Sequence, residues 1–287
     1  MITGASTGIG HACALRLDRA GWRVFAGVRR DEDAERLRAE LSERSQPVIV
    51  DVTDAGSIAA AVANATAVLR DEGLAGLVNN AGIAVAGPLE FLPLDEFRRQ
   101  LEVNVTGQLA VTQACIPLIR RGRGRIVFMG SISGLVTLPM LGPYCASKYA
   151  LEALTDALRL ELQPWGVQVS IVEPAGVATP IWKKGDEAAA RSSSRFPPIA
   201  EQLYGATFSA IRKAAGDVAR RAVPAETVAI AVEHALTSRS PRTRYLIGTE
   251  AKLRARLRAF IPDRLQDRLF TRVLGLPARD SIEGTVR

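Results

Sequence analysis

The sequence predicts an α/β protein: a doubly wound parallel sheet covered by helices on both faces, in three layers, αβα. Three observations predict it. Short runs rich in β-branched residues alternate with longer Ala-, Leu- and Arg-rich stretches, the alternation that βαβ units need. Hydrophobic residues make up 47% but aromatics only 5%. Ala, Val, Leu and Ile therefore supply most of the apolar mass, as buried parallel strands and their covering helices require. The 287 residues suffice for one large domain with a sizeable core.

Taken in order, the elements begin at T-G-A-S-T-G-I-G. Gly4, Gly8 and Gly10 precede a helical stretch over 11–20. Glycine permits a tight turn and lets backbone approach a pyrophosphate. The helix N-terminus then offers N–H groups and positive dipole to the anion. Such a turn normally follows a complete strand, yet only Met1 and Ile2 precede Thr3. The first strand is therefore read as truncated, with translation expected to begin further upstream. The other reading is a fold with a gap in mid-sheet that costs stability and cofactor affinity.

Strand-like runs follow at 23–28, 47–52, 76–79, 125–130, 167–173 and 244–247. The first ends V-F-A-G-V-R-R, with Val28 where a carboxylate would favour a free ribose 2′-hydroxyl. Arg29 and Arg30 come next and favour a 2′-phosphate; otherwise they merely begin a solvated helix. The second closes on D-V-T-D, where Asp51 can accept from an adenine amino group, with Val52 beside it. Thr53 or Asp54 can equally cap the next helix. N-N-A-G, residues 79–82, follows the third run, and its small residues let backbone pass close to a cofactor.

Asn104 lies within a long amphipathic stretch over 94–120. Asn is a poor mid-helix residue, so it is either a satisfied structural side chain or the mark of a local helix distortion holding a relay water. Ser131 ends the run at 125–130, with Ser133 a less well spaced substitute. Tyr144 follows thirteen residues later, and Lys148 four residues after that. The last two share one helix face. A free Tyr titrates near pH ~10. A nearby ammonium and a nicotinium charge would lower that value and make Tyr144 a general acid or base. Ser131 would donate to the developing oxyanion.

These motifs together resemble the short-chain dehydrogenase/reductase family. The resemblance runs from residue 1 to about 250, through T-G-A-S-T-G-I-G, D-V-T-D, N-N-A-G, Asn104, Ser131, Y-C-A-S-K and E-P-A-G-V-A-T. It implies a Rossmann-type fold and a catalytic tetrad of Asn104, Ser131, Tyr144 and Lys148. It implies cofactor contacts at Gly4, Ser6, Thr7, Gly8, Ile9 and Gly10, at Asp51, Val52, Asn79, Ala81 and Gly82, and at Tyr144 and Lys148. The same is implied for Pro174 and Gly176, with Val177 and Thr179 holding the carboxamide. One departure is that Ala175 intervenes between the Pro and the Gly. The W-R-V-F-A-G-V-R-R start and the basic tail look like the retinol, steroid and hydroxybutyrate dehydrogenase branches.

Composition bounds the rest. No apolar run approaches the roughly 20 residues of a membrane span, and no signal peptide is read. Cys13, Cys115 and Cys145 have no paired or metal-like spacing, which suits reduced thiols in the cytoplasm. Residues 252–287 hold nine basic and four acidic side chains, +5 of the chain's +7. That tail has few aromatics and no nucleic-acid motif. Its apolar positions, Leu253, Leu257, Phe260 and Ile261, then Leu265, Leu269, Val273 and Leu274, mark helix faces flanked by Arg. They either pack on the protein's own fold near the pocket mouth or touch a membrane surface.

The expectation is thus a catalytic domain over 1–250 with a mobile insertion at about 180–216, and a basic extension over 251–287 on the same domain. It should transfer a hydride between NADP(H), with NAD the alternative, and a lipophilic alcohol or ketone. Leu138, Pro139, Met140, Leu141 and Trp182 are the expected apolar lining. Homo-oligomers are compatible with the sequence. The competing reading is a non-catalytic dinucleotide-binding protein, argued from the truncated strand.

Overall fold

The computed structural model describes residues 1–248 and 261–277. Six strands run parallel: β1 (Phe25–Val28), β2 (Gln46–Ile49), β3 (Gly76–Asn79), β4 (Arg125–Met129), β5 (Gln168–Pro174) and β8 (Arg244–Ile247). β1 pairs with β2, and β3, β4, β5 and β8 follow one another. Met1 and Ile2 join the two groups. Ile2 bridges Ala26 on one side and Val78 on the other. Its N–H donates to Phe25 O at 2.9 Å, and Gly27 N–H donates to Ile2 O at 2.7 Å. Thr3 N–H donates to Val78 O at 3.0 Å, and Val78 N–H to Met1 O at 2.8 Å. Two residues thus carry the ladder across the middle of the sheet, where the alternative reading of the truncated strand left a gap.

Alternation along the strands splits the core into two faces. Ile126 and Phe128 of β4 join one buried cluster, with Ile58, Val111 and Leu151. These come from α3 (Ala55–Leu69), α5 (Gly107–Gly122) and α6 (Gly142–Glu161). Val127 and Met129 join the other, with Leu17, Leu37 and Val232. Those belong to α1 (Gly8–Arg19), α2 (Asp31–Arg38) and α9 (Ala225–Thr237). Asp54 caps α3, accepting from Gly56 N at 2.8 Å and Ser57 N at 3.3 Å.

The expected long helix over 94–120 is broken in mid-course. α4 (Leu94–Leu101) passes into α5 through a π-helical turn, Glu102–Thr106, that contains Asn104. The insertion expected at 180–216 is a helix pair, α7 (Ile181–Ser193) and α8 (Ile199–Arg220). Short strands β6 (Val177–Ala178) and β7 (Val223–Pro224) pair at its base. Of the basic tail, α10 (Asp263–Leu274) is described; Leu253, Leu257 and Phe260 lie outside the described residues. The strand order reverses beside Ile2, which places the ligand crevice at the carboxyl ends of the strands there.

Candidate active site

A cavity of about 1410 Å³ opens at that point, larger than an ordinary small-molecule pocket of roughly 300–1,000 Å³. The glycine turn forms one end. Gly4 and Gly8 have φ of +66° and +62°, which glycine alone adopts without strain. A Cβ on Gly4 would lie 2.9 Å from Ala81 Cα, so the backbone cradle stays open only with glycine there. Asn80 Nδ2 holds the turn by donating to Thr3 O and Gly4 O, both at 3.0 Å. Thr3 Oγ1 accepts from Asn80 N and Ala81 N, each at 3.0 Å. The first turn of α1 carries no acidic side chain. It therefore suits an anionic diphosphate.

Most of the predicted cofactor residues line this cavity: Gly4, Ser6, Thr7, Gly8 and Ile9, then Arg29, Asp51, Val52, Ala81 and Gly82, then Pro174, Gly176, Val177 and Thr179. Gly10, Arg30 and Asn79 do not. Gly10 packs beneath the turn, where a Cβ would meet Gly4 O at 2.3 Å. Arg30 turns to Asp33, three residues on, and Nε donates to Oδ2 at 3.1 Å. Asn79 is fully buried, and its Nδ2 donates to Thr112 Oγ1 at 2.7 Å. Burial works to raise the Asp51 carboxyl, but hydrogen bonds from Thr53 N and Oγ1 and the Arg29 charge outweigh it and hold it low. The additional Ala175 is absorbed at the β5 end, where its N–H donates to Ile247 O at 3.1 Å.

Three amides the sequence reading did not combine hold the next wall. Gln100, Asn104 and Gln108 are four residues apart and grip the chain from Ala81 in N-N-A-G to Val85. Gln100 Oε1 accepts from Val85 N at 2.7 Å, and Gln108 Nε2 donates to Ala81 O at 2.8 Å. Asn104 Oδ1 accepts from Ile83 N at 2.8 Å. Its Nδ2 donates to Ile83 O at 3.0 Å and to Ser147 Oγ at 3.1 Å. The spacing was the available signal.

Ser131, Tyr144 and Lys148 share the cavity wall with Asn104. Ser131 is hydrogen-bonded to Tyr144, and Ser133 N–H donates to Ser131 Oγ at 3.1 Å. Lys148 Nζ lies 5.6 Å from the Tyr144 ring centre and donates to Met129 O at 2.7 Å. Burial pushes the Lys148 ammonium down to about 8, with Glu152 opposing. The protein alone does not lower the Tyr144 phenol as the sequence suggested. Burial of the phenol pushes it up to about 12, against the Ser131 hydrogen bond.

The rest of the cavity is largely apolar. Leu138, Met140 and Leu141 line it as expected, joined by Phe208 of α8 and Leu269 and Phe270 of α10; Pro139 does not. Trp182 is in α7, but its side chain lies outside the described residues. Met140 has φ of +64°, a left-handed conformation costing roughly 1–3 kcal/mol. Its carbonyl accepts from Gly87 N at 2.8 Å.

Comparison with known proteins places the chain. The model of the short chain dehydrogenase family matches residues 1–190. An NADPH-dependent 3-dehydrocapnine reductase of Ornithobacterium rhinotracheale is 34% identical over 275 residues, spanning 94% of this chain and 95% of its own. Mouse retinol dehydrogenase 5 is 38% identical over 289 residues, spanning 97% and 89%. A short-chain dehydrogenase structure from Streptomyces avermitilis superposes with a TM-score of 0.75 at 29% identity, covering 95% of both chains. The chain belongs to the short-chain dehydrogenase/reductase family of oxidoreductases acting on alcohol and carbonyl groups.

Proposed function

We propose that this protein interconverts a lipophilic alcohol and its carbonyl with NADP(H), using Tyr144 as general acid and base. The observation that carries this reading is one continuous cavity lined by both the glycine turn and the Ser131, Tyr144 and Lys148 wall. When bound, the nicotinamide dinucleotide supplies or accepts the hydride at the carbinol carbon, and its oxidised ring adds a positive charge. In carbonyl reduction, Ser131 Oγ donates a hydrogen bond to the substrate oxygen as negative charge develops. Tyr144, protonated at neutral pH with its phenol at about 12, gives that oxygen its proton. In alcohol oxidation the same phenol must lose its proton, and the Lys148 ammonium stabilises the resulting phenolate. Asn104, through Ser147 Oγ, fixes the α6 turn that carries both.

Arg29 on the cavity wall, with Val28 in place of a carboxylate, supports NADP over NAD, as does the NADPH dependence in the name of the Ornithobacterium relative. The apolar wall and the retinol-named relative support a lipophilic substrate. Steroids, retinoids and long-chain keto compounds with NADPH or NADH form the test panel, read by nicotinamide absorbance. Turnover with NADPH exceeding that with NADH is the expected result. Tight NADPH binding without turnover of any compound would favour the non-catalytic alternative. That alternative rests on a missing first strand, and the ladder bonds of Ile2 weaken it.

The three free cysteines fit a cytoplasmic setting. No described helix is long and apolar enough to cross a membrane. On α10, Leu269 and Val273 stand at the cavity rim while still exposed, Leu265 is exposed away from it, and all three are flanked by Arg264, Arg268 and Arg272. Peripheral contact with an anionic membrane is the reading this pattern supports. Co-sedimentation with anionic vesicles that is lost in Leu265→Glu is the expected behaviour; equal sedimentation of both would contradict it.

A further inference from the structure

Behind the active-site wall lies a polar cluster that the reaction as described does not use. Glu173, on β5, is fully buried, and Glu152, on α6, is 8% exposed. The two carboxyls act on each other, and, besides burial, the Glu152 charge works to raise the Glu173 carboxyl. Among the described residues, neither Glu173 oxygen nor Glu152 Oε1 meets a donor. One guanidinium reaches Glu152 alone of the two: Arg244 of β8 donates from Nε to Glu152 Oε2 at 3.1 Å. Arg244 also reaches Asp156 at 2.7 Å, and Asp156 in turn takes Arg159 at 2.5 Å. Glu152 follows Lys148 by four residues, one turn along the same helix face.

The pair also backs the serine loop. A Cβ on Gly130 would lie 3.3 Å from Glu173 Cγ, and one on Gly134 would lie 3.3 Å from Glu152 Cγ. These glycines bracket Ser131 and Ser133. Two neighbouring buried carboxylates, with a cation bonded to only one of them, cannot both stay charged without water.

Resting on the function proposed above, we propose that Glu152 and Glu173 form a one-proton acid pair that positions the catalytic wall. Glu173 keeps the proton and donates it to Glu152. The single charge left on Glu152, anchored by Arg244, stands behind Lys148 and keeps its ammonium charged. Burial raises the Glu173 carboxyl from an ordinary 4.5 to about 8, and the neighbouring Glu152 charge adds to that rise. The folded protein therefore holds a proton that the unfolded chain releases between these values, and stability falls as pH rises through that window.

Glu173→Gln keeps a donor toward Glu152 but cannot ionise. It should hold the neutral-pH rate within about twofold of wild type, while Glu173→Ala, which strands Glu152, should lose roughly tenfold or more. Glu152→Gln should shift the alkaline fall-off of carbonyl reduction to lower pH by roughly half a unit or more. In cofactor-free protein, the melting temperature of Glu173→Gln relative to wild type should climb from pH 4.5 to about 8. A Gln variant as impaired as the Ala variant, an unmoved alkaline limb in Glu152→Gln, or parallel melting profiles would overturn the pair. A wild type inactive on every substrate would refute the reaction instead, and the melting comparison would still decide the pair.

Discussion

Arg29 and Arg30 are adjacent in sequence and identical in kind, yet only one reaches the cavity. Arg30 is captured by Asp33, which also takes Arg36 at 2.7 Å. The second basic residue near the phosphate loop is thus Arg36, whose Nη2 donates to Ser6 O at 3.0 Å. Arg29→Ala should weaken NADPH binding about tenfold, the loss of one charge-assisted hydrogen bond of roughly 1.5 kcal/mol, and leave NADH nearly unchanged. Fluorescence titration with both cofactors checks this; equal losses would contradict the role given to Arg29. The motif residues were legible because their chemistry is local: a glycine turn, a strand end, a helical repeat of four. Asn79 against Asn80 was not. Which of two neighbouring amides faces the cleft depends on strand alternation against Thr112, a contact thirty-three residues away.

At the scale of elements, the helix over 94–122 shows how a poor helix former becomes useful. The π turn at Glu102–Thr106 inserts Asn104 toward Ile83 and Ser147, and π turns of this kind concentrate at functional sites. Asn104→Ala would strand the part-buried Ile83 N–H and should cost about 1–3 kcal/mol, measurable by urea unfolding. Unchanged stability would mean water replaces the side chain without loss. The distortion was legible from Asn in mid-helix, but its amide partners were not, since the chain they grip lies before the helix and has no pattern of its own. The region at about 180–216 was legible only as a break in the alternation. Its Ser, Lys and Arg content hid the apolar faces of α7 and α8, which show only when the cavity they line is in place.

Across the whole molecule, the parallel strands and the two-faced core follow from alternation that the sequence displays openly: the run at 244–247 coincides with β8, and 125–130 with β4 to within one residue. The first strand is the exception. Two residues pair on both sides, and pairing of so short a segment leaves no periodic signal. The acid pair of Glu152 and Glu173 is equally silent in sequence, because it exists only where α6 crosses β5. α6 is the hub of the molecule: Tyr144, Ser147, Lys148 and Glu152 all belong to it. The account stands most directly on Tyr144. Turnover of the best panel substrate should fall about 10²–10⁴-fold in Tyr144→Phe, while NADPH affinity by fluorescence stays within about twofold, since only the transferable proton is removed. A Phe variant that turns over at the wild-type rate would contradict the central claim.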